Sequence, residues 1–83
     1  METEGYIKTF KHFSLRLVER YGLFITFEEY VFLCELPFIK KPKRVNNHSI
    51  EGVIKIQNIN VKVIKSMWRK DFRPLITVLP LKK

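Results

Sequence analysis

The sequence predicts an α+β fold: two N-terminal helices packed on a 3–4-stranded antiparallel sheet. Three observations predict it. Apolar residues recur at helical spacing as far as Tyr21. A helix-start signature at Thr26 follows closely on a helix-stop glycine, Gly22. From Ile50 onward, apolar residues alternate or run together between turn-forming stretches. The chain has 83 residues, which allows one domain, 1–83.

The first helix is expected over about 5–21. Tyr6, Ile7, Phe10, Phe13, Leu17 and Tyr21 fall on one face, and Lys8, Lys11, His12, Arg16, Glu19 and Arg20 on the other. Gly22 suits the C′ position, where a positive φ costs glycine no Cβ clash. Leu23 then stands where it can meet Val18. The second helix is expected over about 27–36. Thr26 suits its N-cap, Glu29 completes a capping box, and Ile25 and Tyr30 occupy hydrophobic-staple positions. Glu28 and Glu29 lie at the positive end of the helix dipole. Phe27, Tyr30, Val31, Cys34 and Phe38 supply its apolar stripe, and Pro37 stops it.

From about 39 to 49 the chain reads as a basic loop with an edge segment, and the antiparallel sheet is expected over about 50–80. "IEGVIKIQ" puts Ile50, Gly52, Ile54 and Ile56 on one strand face and Glu51, Val53, Lys55 and Gln57 on the other. "NIN" is expected to turn. "VKVIKSMWR" is a second strand whose alternation slips after Ile64, which suggests a bulge or edge near Lys65–Met67. "KDFRP" turns again. "LITVLPL" is almost wholly apolar and reads as a central buried strand. An exposed edge, with "IEGVIKIQ" as the candidate, would allow a homodimer in place of a monomer.

Charge is unevenly distributed. Residues 1–37 hold four Lys/Arg against six acids, a net of −2; residues 38–83 hold twelve against two, a net of +10, which together make +8. Such a split points to a polyanionic partner, RNA before DNA, or else to an acidic surface on a host protein. Cys34 is the lone cysteine, so no internal disulfide forms and a reducing compartment is expected. The apolar stretches fall short of the ~18 residues of a membrane helix, so no membrane partner is expected. An acidic "METEG" start argues against a signal peptide. A cytoplasmic location follows as the expectation.

The pattern "HFSLRLVERYGLFITFEEY", paired strands and a terminal "ITVLP" resembles small phage and mobile-element domains of the RelE-like and colicin-like (barnase–colicin–RelE) ribonuclease superfamily. The resemblance covers roughly residues 8–80. It implies metal-independent RNA cleavage inside a bacterial host cell, by a few basic and hydroxyl residues from the first helix and the sheet. The matching positions are His12, Arg16 and Thr77, with Lys55 and Arg69 matching by type. The sheet holds no second histidine, which is a departure from that pattern.

His12 and Arg16, at i and i+4, project from one side of a helix. Histidine can move a proton near neutral pH, and arginine can grip a phosphate through two parallel hydrogen bonds. The plain alternative is a solvated helix face with Thr77 as a strand former. Lys40, Lys41, Lys43 and Arg44 pack around Pro42 and could track phosphates, although charge runs are usually just solvated. Lys65, Arg69 and Arg73 interleave with Met67, Trp68 and Phe72. Trp68 is expected in the core and Phe72 at an exposed turn. His48 sits among turn residues. His12, Cys34 and His48 lack ligand spacing, so neither a metal nor any other cofactor is expected. A non-enzymatic inhibitor or adaptor, which binds a host nucleic-acid-processing protein, is the rival reading.

Overall fold

The corner between the two helices forms as its residues dictate. A computed structural model describes residues 3–67 and 73–80. Helix α1 spans Thr3–Tyr21 and helix α2 spans Phe27–Glu35. Gly22 ends α1 with φ +68°, and its N–H reaches the Val18 carbonyl at 2.9 Å. The Thr26 hydroxyl accepts from the Glu29 N–H at 3.1 Å, and the Glu29 carboxylate accepts from the Thr26 N–H at 2.7 Å. Both halves of the capping box are therefore present, a reciprocal pairing that satisfies two orphan donors.

Four antiparallel strands follow: β1 (Lys43–Asn46), β2 (Ser49–Ile56), β3 (Ile59–Ser66) and β4 (Leu75–Val78), in spatial order β1-β2-β3-β4. Helices precede strands, so the α+β class holds. Both helices pack on one face of the sheet. Phe13 and Leu17 from α1 and Tyr30, Leu33 and Cys34 from α2 meet Ile54, Ile56, Val61, Val63, Leu75 and Val78 in one core. Burial of each large aliphatic or aromatic side chain contributes about 1.5–3 kcal/mol. Tyr30 anchors the aromatic side, with Phe10, Phe13 and Tyr6 ring centroids within 6.4 Å.

Several expectations need correction. The edge segment expected within the basic stretch is β1, where Lys43 and Arg44 pair with Glu51 and Ile50. Sheet therefore starts at Lys43 rather than near residue 50. The strand read as a dimer-forming edge, β2, is internal, flanked by β1 and β3. The run read as central, "LITVLPL", supplies β4, which lies at the sheet's border. Its Leu75 and Val78 are nevertheless buried under the helices, and helix side chains engage its border. The Arg20 guanidinium donates to the Val78 carbonyl. The Tyr30 hydroxyl donates to the Leu75 carbonyl at 2.6 Å, and the Leu75 N–H reaches the Cys34 sulfur at 3.3 Å. Side chains thus do for β4 what a fifth strand would otherwise do.

The β2–β3 turn sits one residue earlier than "NIN". Ile56 pairs with Ile59, and Gln57 (φ +50°) and Asn58 (φ +67°) form the tip. Two consecutive positive φ values define a type I′ turn. Asparagine tolerates this region; glutamine does so less readily. The Gln57 side chain donates to the Phe24 carbonyl at 2.8 Å, which ties the hairpin tip to the helix corner. The slip after Ile64 is real, but the extra residue belongs to the partner strand. Ile64 pairs with Thr77 and Lys65 with Leu75, so Ile76 is the unmatched residue. Ile7, counted with the apolar face of the first helix, is 38% exposed.

Candidate nucleic-acid interface

The helices cover one face of the sheet, and among the described residues no element packs over the other. Strand alternation assigns residues to that open face. Ile54, Val61 and Val63 point to the core, so Val53, Lys62 and Ile64 point away. The registers align one transverse row across all four strands: Lys43, Glu51, Ile64, Thr77. The next row pairs Val53 with Lys62, and the next Lys55 with Asn60. Lysines thus carry the positive charge, and Glu51 is the acid among the described residues of this face. Its carboxylate lies 3.5 Å from the Lys62 ammonium, with both side chains partly exposed. A surface pair of this kind is worth at most about 1 kcal/mol, so Lys62 can trade it for another anion.

A groove of about 240 Å³ runs across this face. Tyr21, Ile39, Lys40, Val53, Asn60, Lys62 and Pro80 line it. Lys40 and Lys62 therefore converge on one depression whose floor is largely apolar. The Tyr21 hydroxyl, 3.4 Å from the Lys62 backbone N–H, holds the wall in place. The Ile39 N–H donates to the Val53 carbonyl at 2.9 Å, which continues the β1 border toward Lys40.

A second basic depression, about 260 Å³, lies at the β1–β2 hairpin. Arg44 and Arg73 line it with Asn46, Asn47, Ser49, Ile50 and Met67. His48 sits at this turn; its N–H donates to the Asn46 side chain at 2.8 Å and its carbonyl accepts from Met67 at 2.6 Å.

The remaining predicted residues scatter. Lys41 is exposed ahead of β1, and Lys55 is exposed, bordering both the open face and the α2 side of the sheet. Lys65 points inward. It shares the core face with Val63, and its ammonium donates to the Cys34 carbonyl at the end of α2. That contact answers an orphan carbonyl and the negative end of the helix dipole. Burial pushes the Lys65 ammonium below its ordinary pKa, and nearby Arg73 adds to the effect. His12 is exposed on α1, and Arg16 is engaged with Glu19 at 2.7 Å. Thr77 lies on the sheet face opposite the one α1 covers. His12 and Arg16 on α1 and Thr77 on the opposite sheet face are therefore not gathered into one pocket. Arg69, Trp68 and Phe72 lie outside the described residues. Sequence reading missed Lys62, Tyr21 and Asn60 as groove residues. The signal for Lys62 was its parity with Ile64 and opposite parity to Val61 and Val63.

Comparison with protein-family models, with curated proteins and with solved structures returns no match. No described helix is long and apolar enough to cross a membrane.

Proposed function

We propose that this chain binds single-stranded nucleic acid, RNA in preference to DNA, across the open face of its sheet. The observation that carries the reading is the uncovered face itself. Lys43, Lys55 and Lys62 project from it, and Lys40 joins Lys62 around the apolar groove. An extended strand needs cations for its phosphates and apolar surface for its bases, and this face offers both. The Arg44–Arg73 depression is a separate basic site, because Arg44 pairs with Ile50, which shares the core-facing parity of Ile54 and Ile56. Cleavage in the manner of the RelE-like and colicin-like ribonucleases is an added proposal, resting on the resemblance and on His12, Arg16 and Thr77.

The test is a binding titration with labelled single-stranded RNA and DNA at ~50 mM salt, repeated at higher salt. Affinity should fall steeply with salt, and Lys40→Glu with Lys62→Glu should weaken binding while circular dichroism stays unchanged. Absence of binding to either strand at low salt, or full binding by the double variant, would overturn the assignment.

A further inference from the structure

The outward surface of the helix layer leaves unusual side chains in water. Phe24 is 75% exposed, Phe32 63%, Leu15 54% and Ile7 38%. Isolated apolar side chains at a surface are ordinary, but these are arranged with charge. On α1, Ile7 and Leu15 stand with Lys8, Lys11 and His12, all exposed, and with Glu19, also exposed, whose charge is met by Arg16 at 2.7 Å. On α2, Phe32 stands between Glu28 and Glu35, one turn away on either side. One helix thus presents an apolar ridge among cations, the other an apolar ridge among carboxylates. Beside α2 a groove of about 210 Å³, lined by Ile25, Phe32, Leu33, Leu36 and Ile56 together with Glu29, Lys55 and Gln57, runs toward the β2–β3 hairpin.

We infer that a second copy of this chain docks here, with α1 of one protomer lying across α2 of its partner. Both helices pack on the same face of the sheet, so both outward surfaces face the same way. A two-fold axis then makes the α1–α2 contact twice, and the assembly closes as a dimer. Charge selects this pairing over the others. Two copies of α2 in contact would oppose Glu28 and Glu35 to their own kind, and two copies of α1 would oppose Lys8 and Lys11. The crossed arrangement places cations against carboxylates around a centre of Phe32 and Leu15. It leaves each open sheet face pointing outward, so the dimer carries two nucleic-acid surfaces on opposite sides.

Sedimentation velocity on nuclease-treated protein, freed of nucleic acid and run over a range of micromolar concentrations, tests the pairing. A two-chain species is expected. Phe32→Asp should weaken it roughly tenfold or more while leaving circular dichroism native. Reversing Lys8 and Lys11 to Glu should weaken it too, and adding Glu28→Lys and Glu35→Lys to that chain should restore it. A single-chain species at every concentration would overturn the inference. So would a dimer indifferent to both Phe32→Asp and the lysine reversals, or one that forms only with RNA present. None of these results bears on whether the open face binds RNA, because that titration reads a different surface.

Discussion

The Phe38 ring lies over the backbone of Gly52, in the space a Cβ at that position would fill. Gly52 is in the middle of β2, where a side chain would ordinarily help the strand. Here the missing side chain admits Phe38, just beyond Pro37 in the segment after α2, and so sets how the chain passes from helix to sheet.

Gly52→Ala should destabilise the protein, because the added methyl overlaps the ring. Overpacking of this kind typically costs about 1–3 kcal/mol. Urea denaturation reads the loss. In a Phe38→Ala background the same glycine replacement should cost less, and equal costs in both backgrounds would mean the ring is not what Gly52 accommodates.

Tyr30→Phe should cost about 1–3 kcal/mol, because the buried Leu75 carbonyl loses its donor. The Thr9 hydroxyl, 2.7 Å from the Tyr30 oxygen, loses a partner as well. Amide exchange should rise first in β4, whose open side this contact closes. Uniform loosening across the sheet would count against a local role.

Stability should decline in alkali. Burial first of all raises the Tyr30 phenol and the Cys34 thiol above their ordinary values of 10.0 and 9.0. The native state therefore holds these protons more tightly than the unfolded chain does. That stabilisation is complete below the ordinary values and is lost as pH climbs through the raised ones. Lys65, held low by burial, acts in the opposite sense: its penalty fades as pH rises toward 10.5. The Lys65 gain is complete by about its ordinary value of 10.5, whereas the two raised groups go on losing stability beyond it, so melting temperature should drop above about pH 10.5. Tyr30→Phe should show a shallower alkaline decline than wild type, whatever its stability at neutral pH.

Thr26→Ala should cost about 1 kcal/mol by removing the N-cap of α2. Because Gln57 holds the adjoining Phe24 carbonyl, the corner should persist and circular dichroism should change little.

Removing single cations should separate binding from cleavage. Lys62→Ala should lower the salt slope for RNA binding by about 0.7, the share of one phosphate contact on a single strand. His12→Ala should leave that slope unchanged, since His12 lies on α1 and not on the open sheet face. Loss of an RNA-cleaving activity in His12→Ala, with binding intact, would support the catalytic role implied by the ribonuclease resemblance.

The helix corner was legible because its signals are local. Thr26, Glu29, Gly22 and Pro37 each act within a turn of where they stand, and sequence spacing reports them directly. The sheet was legible in kind but not in order. β1 pairs through Lys43 and Arg44, whose side chains are exposed, so no apolar pattern announces the strand. β4 reads as central because its apolar character reflects coverage by helices, which spacing along the strand cannot distinguish from coverage by strands. Lys65 was counted among surface cations although its parity matches Val61 and Val63; its partner, the Cys34 carbonyl, is distant in sequence. The basic surface was foreseeable from composition, whereas the meeting of Lys40 with Lys62 depends on register.

The two borders of the sheet are finished differently, and this makes the molecule directional toward foreign chains. Arg20 occupies the Val78 carbonyl, and Tyr30 and Cys34 occupy the Leu75 carbonyl and N–H, so these side chains obstruct an incoming strand along β4. An intermolecular ladder with a captured peptide or a second copy is favoured beside Lys43–Asn46, the other border of the sheet. There, repulsion between like-charged lysines and arginines of neighbouring copies is what holds it off. Acetylating or neutralising those side chains would therefore let two copies pair through their β1 borders, and the ladder would close at two chains because each β4 border is obstructed.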